Sequence, residues 1–254
     1  MNVTESDVLI VDERDDRVVV TFNRPSVRNA INQAMIDELH EVCAALELHP
    51  KLLILTGGPG IFAGGADIRE VVDRRKDQAL LGINNKLFER IHALPLPSIA
   101  AIDGPAVGGG AEIAYACDFR IATSRAFFGN PEVSLGILPA AGACWRLQEI
   151  VGAQLAKEVV LAGRRITAEE AKECRLISEL VESEELLSAA HALADRIMKN
   201  DVLALRLAKM VMAAPAEMHP VIDNIAQAIL FESEGKFERM NAFIQRNDKS
   251  ERKS

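Results

Sequence analysis

Aromatic side chains are scarce in this sequence of 254 residues, in which only 4% are Phe, Trp or Tyr. Trp145 and Tyr115 are the only residues of their kinds. The core must therefore be built mainly from Ala, Val, Ile and Leu. With so few rings, the chain is not a platform on which successive nucleic-acid bases could stack.

Positive charge is also in short supply, because 29 Lys and Arg residues face 37 Asp and Glu, a formal net charge of −8. Nucleic acid and anionic membrane surfaces would be repelled by this charge at long range. We therefore expect neither as a partner, and a small anionic ligand would need a local basic patch. The apolar share of 49% is ordinary for a globular protein.

The four cysteines, Cys43, Cys117, Cys144 and Cys174, are widely separated. They form no CxxC pair and no Cys-His run at the spacing of zinc ligands, so we expect neither a metal site nor a disulfide framework. Buried thiols in a reducing compartment are expected instead. No targeting pattern stands at the start of the sequence, and no apolar run approaches the roughly 20 residues of a membrane helix. These features together predict a cytoplasmic protein.

Hydrophobic periodicity gives the first half of the chain an alternating order of strands and helices. Apolar, β-branched runs bounded by turn residues predict strands near residues 8–11, 18–22, 52–56, 98–102 and 119–123. Apolar residues at helical spacing predict helices at 33–48, 80–94 and 111–117. Strand, glycine-bearing loop and helix thus follow one another twice, which is typical of a layered α/β fold.

From about Ala168 the pattern is helical to the end of the chain, with segments at 186–198, 202–212 and 221–231. The last helices are too few to form an independent core. We therefore expect them to pack on the main domain or on another subunit.

Two glycine-rich loops invite comparison with nucleotide-binding motifs. Residues 104–110 follow a predicted strand but do not match GxGxxG, and no Lys-Ser or Lys-Thr pair follows a glycine run as in a P-loop. Gly64-Gly65 and residues 108–110 instead expose backbone N–H groups where a helix starts, and glycine lets a ligand approach closely. Two such loops facing one point would form an oxyanion hole. The alternative is that the triplet serves only tight helix–strand packing.

Two glutamates stand close to glycines among apolar neighbours. Glu112 comes two residues after the triplet at the start of an apolar helix, and Glu132 follows Pro131. Taken singly, each is better explained as a charge at the start of a helix than as a catalyst. As a pair beside an oxyanion hole, they could move a proton and a water next to a polarised carbonyl.

Four segments together resemble the signatures of the crotonase, or enoyl-CoA hydratase, superfamily. They are NRP at 23–25 with Asn29-Ala30, FAGGADI at 62–68, GPAVGGGAE at 104–112, and FGNPE at 128–132 followed by LGILP at 135–139. The order matches that of the family over nearly the whole chain. The resemblance implies an α/β fold, a spiral of repeated ββα units with a C-terminal helical trimerisation region. We accordingly assign residues 1–190 to the core and 191–254 to oligomerisation, with a homotrimer or homohexamer expected.

The resemblance also implies the roles of individual residues. The N–H groups of Ala66 and Gly109 would bind the thioester oxygen, while Glu112 and Glu132 would be the two catalytic acids. The residues expected to contact CoA are Ser26, Val27, Arg28, Ala66, Asp67, Ile68 and, near the phosphates, Arg246. No prosthetic group or metal is implied, since CoA enters as part of the acyl-CoA substrate.

Several functions stay open at this point. Retention of both acids favours an enoyl-CoA hydratase, with an enoyl-CoA isomerase or a specialised hydroxyacyl-CoA dehydratase as the alternatives. A CoA-binding scaffold without catalysis, or a member recruited to bind RNA, belongs to a different class, against which the intact acids and acidic balance argue. The chain departs from many hydratases at residues 139–146, where bulky Trp145 is either near the acyl pocket or a core or interface residue.

Overall fold

The computed structural model describes residues 2–251, with side chains described for residues 3–246. The chain divides into two compact units, the first ending at Asp195 and the second beginning at Arg196. This division and the predicted boundary after residue 190 both fall within the helix Leu186–Met198. The oligomerisation role of the C-terminal region stays a prediction.

Ten strands are present in the described residues, all in the first unit. They are β1 (Asn2–Glu5), β2 (Leu9–Glu13), β3 (Arg17–Phe22), β4 (Leu52–Thr56), β5 (Ser98–Ile102), β6 (Pro105–Val107), β7 (Phe119–Thr123), β8 (Phe127–Gly129), β9 (Ile166–Thr167) and β10 (Glu179–Val181).

The α-helices connect these strands and then form the C-terminal unit. They are α1 (Gln33–Leu48), α2 (Ile68–Val71), α3 (Lys76–Leu81), α4 (Ile83–His92), α5 (Gly109–Ala116), α6 (Arg146–Val151), α7 (Ala153–Ala162), α8 (Ala168–Glu173), α9 (Leu186–Met198), α10 (Val202–Met212), α11 (Val221–Phe231) and α12 (Glu234–Glu251).

The larger sheet has seven strands in the order β1-β2-β3-β4-β5-β7-β10. Its first three strands are antiparallel, and every pairing from β3 to β10 is parallel. All five residues of β4 and of β5 are buried. Continuous apolar runs such as Leu52–Thr56 suit parallel strands, because helices cover both faces of such a sheet. These strands form the centre of the core.

A smaller sheet joins β6, β8 and β9, and β6 and β8 are the second strands of two successive repeats. The chain passes from β5 to β6 and then into α5, and from β7 to β8 and then into the 3-10 helix Pro131–Leu135. β6 and β8 pair in parallel. A bridge between Ala63 and Ala106 extends the same arrangement to the loop after β4. Each repeat therefore delivers one loop, immediately before a helix, to the same side of the small sheet.

Two predictions of secondary structure were wrong in detail. The helix expected over residues 80–94 is interrupted at Gly82, whose φ of +61° ends α3 before α4 begins. The region after Ala168 is not helical throughout, because β10 pairs in parallel with β7 at the edge of the larger sheet. β10 has three half-buried residues. Such a short strand leaves no periodic signal in the sequence.

The second unit contains the end of α9 and all of α10, α11 and α12. Asp201 caps α10 by accepting a hydrogen bond from the N–H of Ala204. Along α11, Val221, Ile225 and Ile229 recur at helical spacing with 64%, 58% and 49% of their surface exposed. None of the helices in the described part of the chain has both the length and the apolar character needed to cross a membrane.

Candidate active site

The loop after β4 presents the backbone N–H of Ala66. The backbone groups on either side of Ala66 form hydrogen bonds with Ile31. The Gly65 carbonyl accepts from the Ile31 N–H, and the Asp67 N–H donates to the Ile31 carbonyl. Successive amides of an extended segment point to opposite sides. The Ala66 N–H consequently points away from Ile31, and within residues 2–251 no protein acceptor is paired with it.

The second loop places Gly109 opposite Ala66. Gly108, with φ +54° and ψ −128°, turns the chain into α5, so the Gly109 N–H lies at the start of the helix. A methyl group built on Gly109 would lie 3.5 Å from the Ala66 nitrogen. A methyl group on Gly110 would lie 2.1 Å from the Ala63 carbonyl oxygen. The two loops therefore approach each other where side chains are absent, and we call the N–H groups of Ala66 and Gly109 the amide pair.

Glu112 lies in the first turn of α5 with only 3% of its surface exposed. Its Oε1 accepts hydrogen bonds from the N–H groups of Ala141, at 2.8 Å, and Ala143, at 3.2 Å. Burial raises the pKa of Glu112 to about 7, and the nearby charge of Glu132 adds to the rise against the opposing effect of these hydrogen bonds. Near neutral pH this carboxyl can therefore both take up and release a proton.

Glu132 enters the site from the 3-10 helix Pro131–Leu135. A methyl group built on Gly108 would lie 2.9 Å from Glu132 Oε1, which brings this carboxyl beside the loop that carries Gly109. Its Oε2 is buried and has no hydrogen-bond partner among the described residues. Burial is also the main cause that raises the pKa of Glu132. A buried carboxyl oxygen without a partner is costly, so it is suited to receive one from a ligand or a water.

One cavity of about 460 Å³ is lined by Ala66, Gly109, Glu112 and Glu132. The four residues expected to carry the chemistry are thus brought together, although 66 and 132 are far apart in the sequence. The volume of this cavity lies within the range of about 300–1,000 Å³ that is usual for small-molecule sites. Among the described residues, no group of three or more His, Cys, Asp or Glu is arranged to hold a metal ion.

The residues expected to contact CoA are only partly gathered at this cavity. Ile68 lines it, whereas the segment from Ser26 to Arg28 does not. That segment lies beside the first loop, because the Gly64 N–H donates to the Arg28 carbonyl at 2.8 Å. Buried Asn29 fixes it there by donating to the carbonyls of Gly57 and Phe62. Arg28 therefore lies beside the first loop, and contact of Ser26, Val27 and Arg28 with CoA stays a prediction.

Two of the expected CoA contacts have other positions. The Asp67 carboxylate pairs with Arg24 at 3.2 Å and caps α2 by accepting from the Arg69 N–H. Arg246 is exposed on α12 in the second unit. Contact of Asp67 and Arg246 with CoA stays a prediction.

Several residues support the site without having been assigned a role from the sequence. Asn130 accepts from the hydroxyl of buried Tyr115 at 3.2 Å and donates to the Gly108 carbonyl at 3.4 Å, which ties the second loop to α5. Buried Arg146 pairs with Glu89 at 2.9 Å, and its Nη1 lies 3.4 Å from where a methyl group on Gly142 would be. The composition around Asn130 and Arg146 indicates turns, but it does not indicate these side-chain contacts.

Trp145 is half-buried and does not line the cavity. Its ring lies 5.9 Å from the Arg146 guanidinium carbon. The cysteines also differ from expectation, because Cys43 and Cys117 are buried but Cys144 and Cys174 are only half-buried.

Known proteins resemble this chain in sequence and structure over nearly its whole length. The family described as enoyl-CoA hydratase/isomerase matches residues 14–248. The short-chain-enoyl-CoA hydratase of Clostridium acetobutylicum is 37% identical, covering 93% of this chain and 95% of that protein. The 2,3-dehydroadipyl-CoA hydratase of Escherichia coli is 35% identical, covering 94% and 96%. A crystal structure of an enoyl-CoA hydratase from Bacillus anthracis superposes with a TM-score of 0.88 at 32% identity, covering 94% and 96%.

This chain belongs to the enoyl-CoA hydratase/isomerase family of the crotonase superfamily. The predicted resemblance is confirmed, and so is the expected mixed α/β fold with a C-terminal helical region.

Proposed function

We propose that this protein is an enoyl-CoA hydratase that catalyses the reversible syn addition of water to trans-2-enoyl-CoA thioesters. The observation that carries the proposal is the meeting of the amide pair with Glu112 and Glu132 in one cavity. Relatives named as hydratases, aligned over more than nine-tenths of the chain, support the same activity.

The amide pair would bind the thioester carbonyl oxygen. Negative charge develops on this oxygen when water adds to C3, so donors already in place stabilise the transition state more than the substrate. A donor of this kind contributes on the order of 3 kcal/mol in enzymes where it has been removed. Gly109 is suited to the role because its N–H lies at the positive end of a helix.

The two carboxyls would handle the water. Glu112 holds and activates the water for attack at C3, and Glu132 with that same water delivers a proton to C2. The water oxygen thus bonds to C3 as a hydroxyl, and one proton bonds to C2. The product therefore contains the atoms of the enoyl thioester and of one water molecule. A pKa of about 7 suits Glu112 to this role at neutral pH.

Loss of the conjugated enoyl-thioester absorbance tests the proposal directly. Purified protein should consume trans-2-enoyl-CoA thioesters, and we would assay short, medium and branched chains. A Glu112→Gln/Glu132→Gln double variant, prepared identically, controls for a contaminating hydratase. Absence of turnover across the panel, with tight acyl-CoA binding in calorimetry, would replace the hydratase by a CoA-binding scaffold.

A homotrimer or homohexamer in the cytoplasm is part of the same proposal. The exposed apolar stripe of Val221, Ile225 and Ile229 on α11 is suited to contact between subunits. The four cysteines form no disulfide, which suits a reducing compartment. Light scattering coupled to size-exclusion chromatography tests the oligomer, and a monomer of 27.7 kDa would contradict it.

A further inference from the structure

Three consecutive basic residues line the cavity that holds the two glutamates. Arg74, Arg75 and Lys76 contribute to its wall, and we call them the basic segment. The two glutamates are the negatively charged residues of the same wall. In a chain with a net charge of −8, three cations at one cavity are a local exception to the overall balance.

The three side chains of the basic segment differ in whether they are already paired with an acidic residue. Arg74 is half-buried and lies 3.7 Å from the Glu70 carboxylate. Arg75 and Lys76 are exposed, and neither forms an ion pair with the part of the chain that the structure describes. Their charges are therefore available to a bound anion.

The same stretch of chain provides apolar surface next to the cations. Val71 precedes the basic segment and Ala79 follows it, and both line the cavity together with Ile83. An acyl chain packs against apolar side chains, whereas a terminal carboxylate needs cations. Apolar walls with cations suit a ligand that has both parts.

CoA itself also carries anions, in its phosphates. Ala66 and Ile68, which are also expected to contact CoA, line the same cavity, whereas Ser26 to Arg28 lie outside its lining, with Arg28 beside Gly64. The cations, however, share their wall with Val71, Ala79 and Ile83, the apolar side chains on which an acyl chain would pack. This proximity favours an anion at the end of the acyl chain over a phosphate of CoA.

We infer that Arg75 and Lys76 form a subsite for a terminal carboxylate on the acyl group, so that the enzyme prefers enoyl-CoA thioesters of dicarboxylic acids. This inference rests on the proposed hydratase function. It assigns the substrate class within that function.

Two substrates of equal length test the inference. trans-2-Hexenoyl-CoA ends in a methyl group, and trans-2-hexenedioyl-CoA ends in a carboxylate at the same position. The unmodified enzyme should show the higher kcat/KM for the carboxylated substrate. In an Arg75→Gln/Lys76→Gln double variant, kcat/KM for that substrate should fall about tenfold, since each exposed charge pair is worth up to about fivefold. The value for hexenoyl-CoA should stay within about twofold.

A Lys157→Gln/Arg164→Gln double variant is the matched control, because it removes two positive charges from residues outside the cavity lining. It should leave the ratio of the two kcat/KM values unchanged. The preference should also shrink as salt is raised from about 0.05 M to about 0.5 M, because exposed charges are screened.

Three results would overturn the inference while leaving the hydratase proposal intact. They are no preference in the unmodified enzyme, an equal loss for both substrates in the Arg75/Lys76 variant, and an equal change of the ratio in the control. An equal loss would assign the cations to the phosphates of CoA. Failure of the unmodified enzyme to hydrate either substrate would instead contradict the proposed function.

Discussion

Glu112 and Glu132 are the same residue type in one cavity, yet their surroundings are built differently. Glu112 comes from a regular α-helix, and two backbone N–H groups hold its Oε1. Glu132 comes from a 3-10 helix, and its buried Oε2 has no partner among the described residues. The protein itself positions Glu112, whereas Glu132 keeps an oxygen for a ligand or water. The comparison suggests a fixed base and a proton donor completed by its substrate.

The largest expected effect is on catalysis when either carboxyl becomes an amide. Glu112→Gln and Glu132→Gln should each lower kcat for hydration by about 10²- to 10⁴-fold, because a positioned acid or base contributes that much. Steady-state kinetics on trans-2-enoyl-CoA checks this, with exposed Glu149→Gln as the control.

The Glu112→Gln variant also separates the two candidate reactions. The new side chain keeps an oxygen that can accept from Ala141 and Ala143, so the fold should persist. Full double-bond isomerase activity together with lost hydration would favour an isomerase. Hydration above about a tenth of the unmodified rate would contradict the role given to Glu112.

The next effect is on stability and depends on pH. Folding raises the pKa of Glu112 from its ordinary 4.5 to about 7, so the folded state binds this proton more tightly. The free energy of unfolding should therefore fall as pH rises from about 4.5 to about 7, by about 3 kcal/mol from this group. Glu112→Gln removes that slope, and its stability relative to the unmodified protein should increase over the same window.

Urea unfolding at several pH values measures this difference. Exposed Glu149→Gln again serves as the control, and it should follow the unmodified protein at each pH. A stability difference between Glu112→Gln and the unmodified protein that is constant from pH 4.5 to pH 8 would show that Glu112 is not protonated by burial.

The smallest expected effect concerns the turn that holds Glu112. Gly142 has φ +150° and lies between the two alanines whose N–H groups bind the carboxyl. A methyl group there would lie 3.4 Å from Arg146 Nη1 and strain the backbone. Gly142→Ala should shift these N–H groups and lower kcat about tenfold, since small misplacements in a site are costly.

Gly163→Ala is the matched control for that substitution. Gly163 also has a positive φ, +70°, but a methyl group there would meet nothing within 4 Å. Both variants should lose some stability from backbone strain. Equal kcat values for the two variants would mean that the turn does not position Glu112.

Much of the central architecture could be predicted from local sequence. The runs at Leu52–Thr56, Ser98–Ile102 and Phe119–Thr123 were predicted with the bounds they have in the structure. Their mostly apolar, β-branched character and the flanking turn residues leave little choice of structure. The strands Ile166–Thr167 and Glu179–Val181 were missed, because two or three residues gain their structure from the neighbouring strand.

The candidate site likewise has residues that could be predicted from the sequence and others that could not. Glu112 and Glu132 could be singled out because acids next to glycines among apolar residues are unusual. The hydrogen bonds to Glu112 from Ala141 and Ala143 could not, because any non-proline residue offers a backbone N–H. Only the path of the chain, about thirty residues later, brings these donors to the carboxyl.

Gly110 shows what holds the two amide-bearing loops at their spacing. No attractive contact is needed there, because the missing side chain leaves the room that the Ala63 carbonyl occupies. A side chain at position 110 would clash with the Ala63 carbonyl, and we expect it to push the two loops apart and separate the Ala66 and Gly109 nitrogens. Substitutions that alter substrate preference are therefore expected to be tolerated in the cavity walls and not at Gly110, where the two loops approach most closely.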